Sequence, residues 1–183
     1  MRYLFFFTVF VMLAVTAMGA ERAEQEYCYA QKGYFGTVRV SYVVFEPLSE
    51  SYKGASVDII NGYTCNRWFS IGGGVGLLYY NSPHNGTGKL FGYLHMRANI
   101  IDRKVTPFLA LNIGGGYCQG WMLTSEGGEI EQQTNGEYNL FFIEPQAGLA
   151  VYLTKGKMID IGVSLFVDDG VDLGLKFSVG FTW

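Results

Sequence analysis

Residues 171–183 read Val-Asp-Leu-Gly-Leu-Lys-Phe-Ser-Val-Gly-Phe-Thr-Trp, and their order decides the fold. Val171, Leu173, Leu175, Phe177, Val179, Phe181 and Trp183 share one face of an extended chain. Asp172, Gly174, Lys176, Ser178, Gly180 and Thr182 share the other. Side chains alternate across a strand, so this unbroken period of two is a strand signal, whereas a helix would scatter the apolar groups. The apolar face is too heavy for water and ends on an aromatic. It reads as the closing strand of a transmembrane barrel, with apolar groups toward lipid and small or polar groups toward the lumen.

The rest of the chain repeats the pattern. Alternation predicts strands over about 34–45, 55–64, 69–80, 89–100, 106–118, 138–153, 158–167 and 171–183. In the first, Val38, Val40 and Tyr42 oppose Thr37, Arg39 and Ser41. In the second, Ile60 and Asn61 interrupt the period. In the sixth, Pro145 lacks an N–H and predicts a bulge or a missing ladder bond. The fold expected is all-β: an eight-stranded antiparallel up-and-down transmembrane β-barrel over residues 33–183. An even strand number suits a single-chain bacterial barrel.

The connections alternate in character. Those after strands two, four and six are short and basic, with Arg67, Arg103, Lys104, Lys155 and Lys157. Those after strands one and five are longer and acidic. Residues 81–88, with Pro83 and Asn85-Gly86, carry a turn signal. Residues 119–137, from Gln119 to Glu137, read as the longest irregular stretch and as an extracellular loop open to a ligand. Short turns face the periplasm and long loops the exterior in such barrels.

Composition agrees. Charged residues make up 16% and the chain has 25 glycines, against about 25% charged and about 7% Gly in average globular proteins. No stretch beyond the N-terminus reaches the roughly 20 apolar residues of a spanning helix. Residues 1–19, with Arg2, an apolar run and Ala17-Met18-Gly19, read as a cleavable signal peptide. Residues 20–32 read as a polar periplasmic lead-in. The net charge of −3 favours no nucleic acid.

A soluble barrel would turn its bulky groups inward, but eight strands leave an interior just wide enough for side chains to fill. The inward charges nearly balance: Arg39, Arg97 and Lys176 against Asp58, Glu144 and Asp160, with Asp172 a further acid at the start of the last strand. A lone ion in a narrow lumen costs several kcal/mol, so an ion-pair and hydrogen-bond network that also includes His95 is expected to plug the bore. The triple glycines 72–74 and 114–116 read as space for bulky lumen neighbours.

Three stretches resemble the small OmpA/OmpX-like outer-membrane β-barrel proteins of Gram-negative bacteria, the porin-family barrel domains. They are Ile60-Asn61-Gly62-Tyr63 leading to Phe69-Ser70-Ile71-Gly72, Val105-Thr106-Pro107-Phe108 leading to Gly114-Gly115-Gly116-Tyr117, and Phe177, Val179, Phe181 and Trp183. The resemblance implies an outer-membrane location, contact with lipid and lipopolysaccharide, and a C-terminal signal (Phe177, Val179, Phe181, Trp183) read by the barrel assembly machinery. It specifies activity poorly, because one scaffold hosts many functions.

The leading functional expectation is a monomeric, non-enzymatic surface barrel, structural or interaction-mediating. A lipid-modifying enzyme of deacylase or acyltransferase type is the first alternative. It needs a catalytic base at the bilayer rim, and His95 falls on the inward face. A small diffusion channel is the second. No metal, cofactor or phosphate-loop motif stands out. Of three cysteines, Cys28 and Cys65 fall near one rim, so a disulfide between them is open to an exported chain. Cys118 falls at the other rim.

Overall fold

The computed structural model describes residues 29–45, 52–81, 85–126, 129–168 and 173–183. Residues 1–19, where a signal peptide is expected, lie outside the described residues, as do Cys28, Pro83, Val171 and Asp172. Eight antiparallel strands close into one barrel in chain order. They are β1 (Gly33–Phe45), β2 (Tyr52–Asn66), β3 (Phe69–Asn81), β4 (Asn85–Asn99), β5 (Val105–Glu126), β6 (Glu129–Thr154), β7 (Lys157–Asp168) and β8 (Leu173–Thr182). Among the described residues no helix is long and apolar enough to cross a membrane; the spanning elements are strands.

The seam is β1 against β8, with Val40 opposite Val179 and Val38 opposite Phe181. Gly36 and Trp183 extend it by exchanging backbone hydrogen bonds of 3.1 and 3.0 Å. A Cβ on Gly36 would lie 2.7 Å from the Trp183 indole, so the glycine gives the terminal ring its seat.

Side chains sort as the alternation predicts. On β8 burial strictly alternates: Val179 is 54% exposed and Lys176 1%. Leu77 and Ile161 are each 61% exposed, while Asp160 is fully buried. Every strand contributes exposed Val, Leu, Ile, Phe or Tyr to the outer wall. Soluble monomers rarely expose apolar patches beyond a few hundred Å². A continuous apolar girdle over a charged interior is stable in hydrocarbon, where closure of the barrel leaves no open strand edge.

Several local expectations need correction. Ile60 and Asn61 do not interrupt β2: Ile60 is fully buried in the lumen and Asn61 faces outward, so the alternation persists with the polarity reversed. Residues 85–88 belong to β4 rather than to a turn, paired with residues 119–122 of β5. Pro145 keeps its partner Leu111 on β5, while pairing with β7 skips Glu144 and Pro145 without a change of register. At Pro145 the expectation is thus met, by its second form: a missing ladder bond without a bulge.

The largest correction is the 119–137 stretch. It is not an irregular loop. β5 and β6 continue as a paired two-stranded ribbon out to Glu126 opposite Glu129. Pairing of β4 with β5 stops at Met122, and pairing of β7 with β6 stops at Phe142. Among the described residues, Glu129–Phe141 of β6 therefore pair only with β5, with Gly136 skipped at a register shift, and represent about 40 Å of strand at ~3.3 Å per residue. Outside the bilayer only backbone pairing must be satisfied. A proline-free segment can do this with no hydrophobic period.

The barrel interior as candidate functional site

The interior is layered along the barrel axis. Toward the ribbon end, Val43, Ile60, Leu78, Phe91, Tyr93, Phe142 and Phe166 form an apolar cluster. Phe142 packs against Phe91 edge-on at 5.3 Å and stacks on Phe166 at 5.1 Å. Toward the end that holds both chain termini, Ala30, Phe108, Ala110, Ala150, Tyr152 and Met158 form a second cluster. The expected charged network is therefore accompanied by two apolar clusters, one toward each end of the lumen.

The inward aromatics fit because glycine lies opposite them. Phe91 pairs with Gly76 on β3 and Gly116 on β5; Tyr93 pairs with Gly74 and Gly114. Phe108 pairs with Gly148, and Phe166 with Gly174. A Cβ on Gly74 would fall on the Tyr93 ring, and one on Gly114 on the backbone of Gly92. The inward members of the two glycine triplets are therefore room for lumen side chains, as expected. Gly73 faces outward, with nothing closer than 3.9 Å to an added Cβ.

All seven candidate lumen residues are buried: Arg39, Asp58, His95, Arg97, Glu144, Asp160 and Lys176. Six of them supply the charges. Lys176 Nζ lies 3.3 Å from Glu144 Oε2 and 3.6 Å from Asp58 Oδ2. It also sits 5.5 Å from the Phe91 ring centre, within cation–π range. Ser164 donates to the other oxygen of Glu144 at 2.6 Å. Ser56 and Tyr93 donate to Asp58 at 3.4 and 3.3 Å. This is what a buried carboxylate pair needs, since remaining lone pairs must find donors before the Coulomb gain offsets desolvation.

The second cluster centres on Arg97. Its Nη1 donates to Asp160 Oδ2 at 3.4 Å and its Nε to Asn99 Oδ1 at 3.1 Å. The guanidinium carbon lies 4.0 Å from the centre of the Phe108 ring. His95 Nδ1 shares a 2.7 Å hydrogen bond with Asn112 Oδ1. It is 2% exposed and far from the lipid face, an interior group rather than a rim base. Gln146 donates to Ser178 at 2.8 Å, and Thr37 and Thr182 share a 2.7 Å bond beneath the seam.

Arg39 differs. It is 1% exposed, yet its Nε and Nη1 have no hydrogen-bond partner, and neither does Asp160 Oδ1. Lys89, which the sequence reading left out of the interior set, is also buried.

The lead-in ends against the barrel mouth. The Tyr29 amide donates to Asp102 at 3.0 Å, its carbonyl accepts from Gly156 at 3.4 Å, and its ring lies 5.8 Å from that of Tyr152. Gly156 holds a φ of 80°, the left-handed conformation that lets the β6–β7 turn close in two residues. Cys65 is an exposed free thiol; its proposed partner Cys28 lies outside the described residues, so that disulfide rests on sequence position. Among the described residues no group of His, Cys, Asp or Glu is placed to hold a metal.

A closed eight-stranded barrel, apolar outside and filled within, is the architecture of a small transmembrane barrel. Solved structures with this fold include Neisserial surface protein A, at TM-score 0.60 and 14% identity, covering 82% of this chain and 96% of that one. Ail, the attachment invasion locus protein of Yersinia pestis, aligns at TM-score 0.55 and 13% identity, covering 84% and 100%. The outer membrane protein OprG of Pseudomonas aeruginosa aligns at 0.52 and 8%, covering 86% and 99%. The chain thus has the fold of the OmpA/OmpX-like outer-membrane barrels. No family model matches the sequence, and no curated protein matches it.

Proposed function

We propose that the chain is a monomeric outer-membrane barrel of a Gram-negative cell. In this reading it is exported by residues 1–19, surrounded by lipid and lipopolysaccharide, and acts without catalysis through its extracellular β5–β6 ribbon. The ribbon carries the reading. It is the longest element beyond the barrel wall, and residues 119–137 hold Glu126, Glu129, Glu131 and Glu137 with no Lys or Arg. Its acidity suits a cationic partner surface, and a two-stranded ribbon on a rigid barrel is preorganised for contact. The basic turns Arg67, Arg103, Lys104, Lys155 and Lys157 favour the opposite, periplasmic side for the chain termini. Phe177, Val179, Phe181 and Trp183 present the alternating outward face from which the assembly machinery would take the last strand. Ail, which shares the fold, is named for attachment and invasion.

The alternatives gain less support. His95 hydrogen-bonds within the lumen, away from any acyl chain. The two apolar clusters and the charged layer fill the bore a channel would need. Deletion of residues 120–135 tests the reading. Cells with the shortened barrel should retain it in the outer-membrane fraction and lose surface adhesion. Unchanged adhesion would remove the ribbon from the function, and recovery of the full chain in the inner membrane would overturn the location.

A further inference from the structure

At the end that holds the chain termini, the lumen opens into a cavity of about 210 Å³. Arg39, Arg97 and His95 line its inner part, and Lys32, Lys155 and Lys157 its rim; among the described residues that line it none is an aspartate or glutamate. Arg97 is already committed to Asp160 and Asn99. Arg39 is not: two of its guanidinium donors are buried and unpartnered. Leaving buried donors of a charged group unsatisfied costs more than leaving those of a neutral one unsatisfied. Asp160, the partner of Arg97, also keeps one oxygen without a hydrogen bond, yet it does not line the cavity.

We propose that this vestibule binds a phosphate-type oxyanion, with Arg39 as the buried anchor and the three lysines as a steering rim. Charge-assisted hydrogen bonds from arginine to phosphate oxygens are among the stronger polar contacts. A rim of like charge over low-dielectric walls concentrates the oppositely charged ligand. The anion could be a free phosphate or a phospholipid headgroup from the adjacent leaflet; the recognising chemistry is the same. This site lies at the opposite end from the β5–β6 ribbon and does not depend on the surface role proposed above.

The test follows the ¹⁵N–¹H resonance of the Arg39 Nε group in the full barrel, refolded in a phosphate-free alkyl maltoside. One arm titrates inorganic phosphate, one a short-chain phosphatidylglycerol, and one sodium chloride at matched ionic strength. Saturable movement with either phosphate probe and not with chloride supports the site, and the saturating arm identifies the source. The K155Q/K157Q variant, altered only at an exposed turn, should fold normally and weaken binding several-fold. R39Q, followed instead through the Arg97 Nε resonance at the same cavity, should weaken it at least tenfold where it folds. An Arg39 resonance that stays still in both phosphate arms, or moves equally with chloride, overturns the proposal. So does an affinity that K155Q/K157Q leaves unchanged.

Discussion

Replacing Lys176 by methionine removes one cation from between two buried carboxylates. Lys176 lies 3.3 Å from Glu144 and 3.6 Å from Asp58, and all three side chains are about 1–2% exposed. With an effective dielectric of about 20, each contact is worth roughly 5 kcal/mol of gross attraction. Desolvation and carboxylate repulsion cancel much of it. Breaking a buried pair by removing one partner nonetheless costs about 3–5 kcal/mol, because the charge left behind has neither partner nor water. K176M should therefore destabilise the barrel by about that much. Arg39, Arg97 and Lys176 balance Asp58, Glu144 and Asp160, so K176M/E144Q restores neutrality among the remaining four. In that double variant Asp58 keeps its Ser56 and Tyr93 donors. It should regain most of the loss. Urea unfolding in lipid vesicles, followed by tryptophan fluorescence and by heat-modifiable gel mobility, measures both variants. A K176M loss below about 1 kcal/mol, the value of a solvent-exposed pair, would refute the reasoning and mean that water reaches the triad.

Other outcomes follow from the same geometry. V179R places a cation on the lipid-facing wall and should cost about 2–4 kcal/mol if Val179 lies near the midplane, read in the same urea assay. G74V would put a side chain into the Tyr93 ring and displace its hydroxyl from Asp58; a loss of about 1–3 kcal/mol is expected from overpacking, with the Tyr93 ring resonances shifted. Removing residues 123–132 takes away ribbon that only pairs with itself, so the unfolding midpoint should move little.

The barrel was legible because the bilayer imposes a period of two on every strand that crosses it. Val171 to Trp183 carries that period without interruption, and the interior positions of Arg39, Asp58, Lys176 and their companions followed from it. The ribbon was not legible because no such selection acts beyond the membrane: Gln119 to Glu137 need only exchange backbone hydrogen bonds. The inward rings of Phe91, Phe108 and Phe166 were missed for a different reason. Each is tolerated by a glycine on the neighbouring strand, and that complementarity depends on register, which local pattern does not fix. Ile60 was set aside as an irregularity because the rule applied was polarity; strict alternation alone would have put it in the lumen. Arg39 could be assigned to the interior from sequence, but its lack of a partner appears only once the distances are known.

Spin labels placed singly at each position from 175 to 182 of β8, in the barrel reconstituted into lipid bilayers, test the outward and inward sorting directly. Collision with dissolved oxygen should peak at 175, 177, 179 and 181 and fall at 176, 178, 180 and 182, in a strict two-residue rhythm. The opposite phase, with oxygen reaching position 176 and shielded from 175, 177 and 179, would contradict a lipid-facing apolar wall around a charged interior.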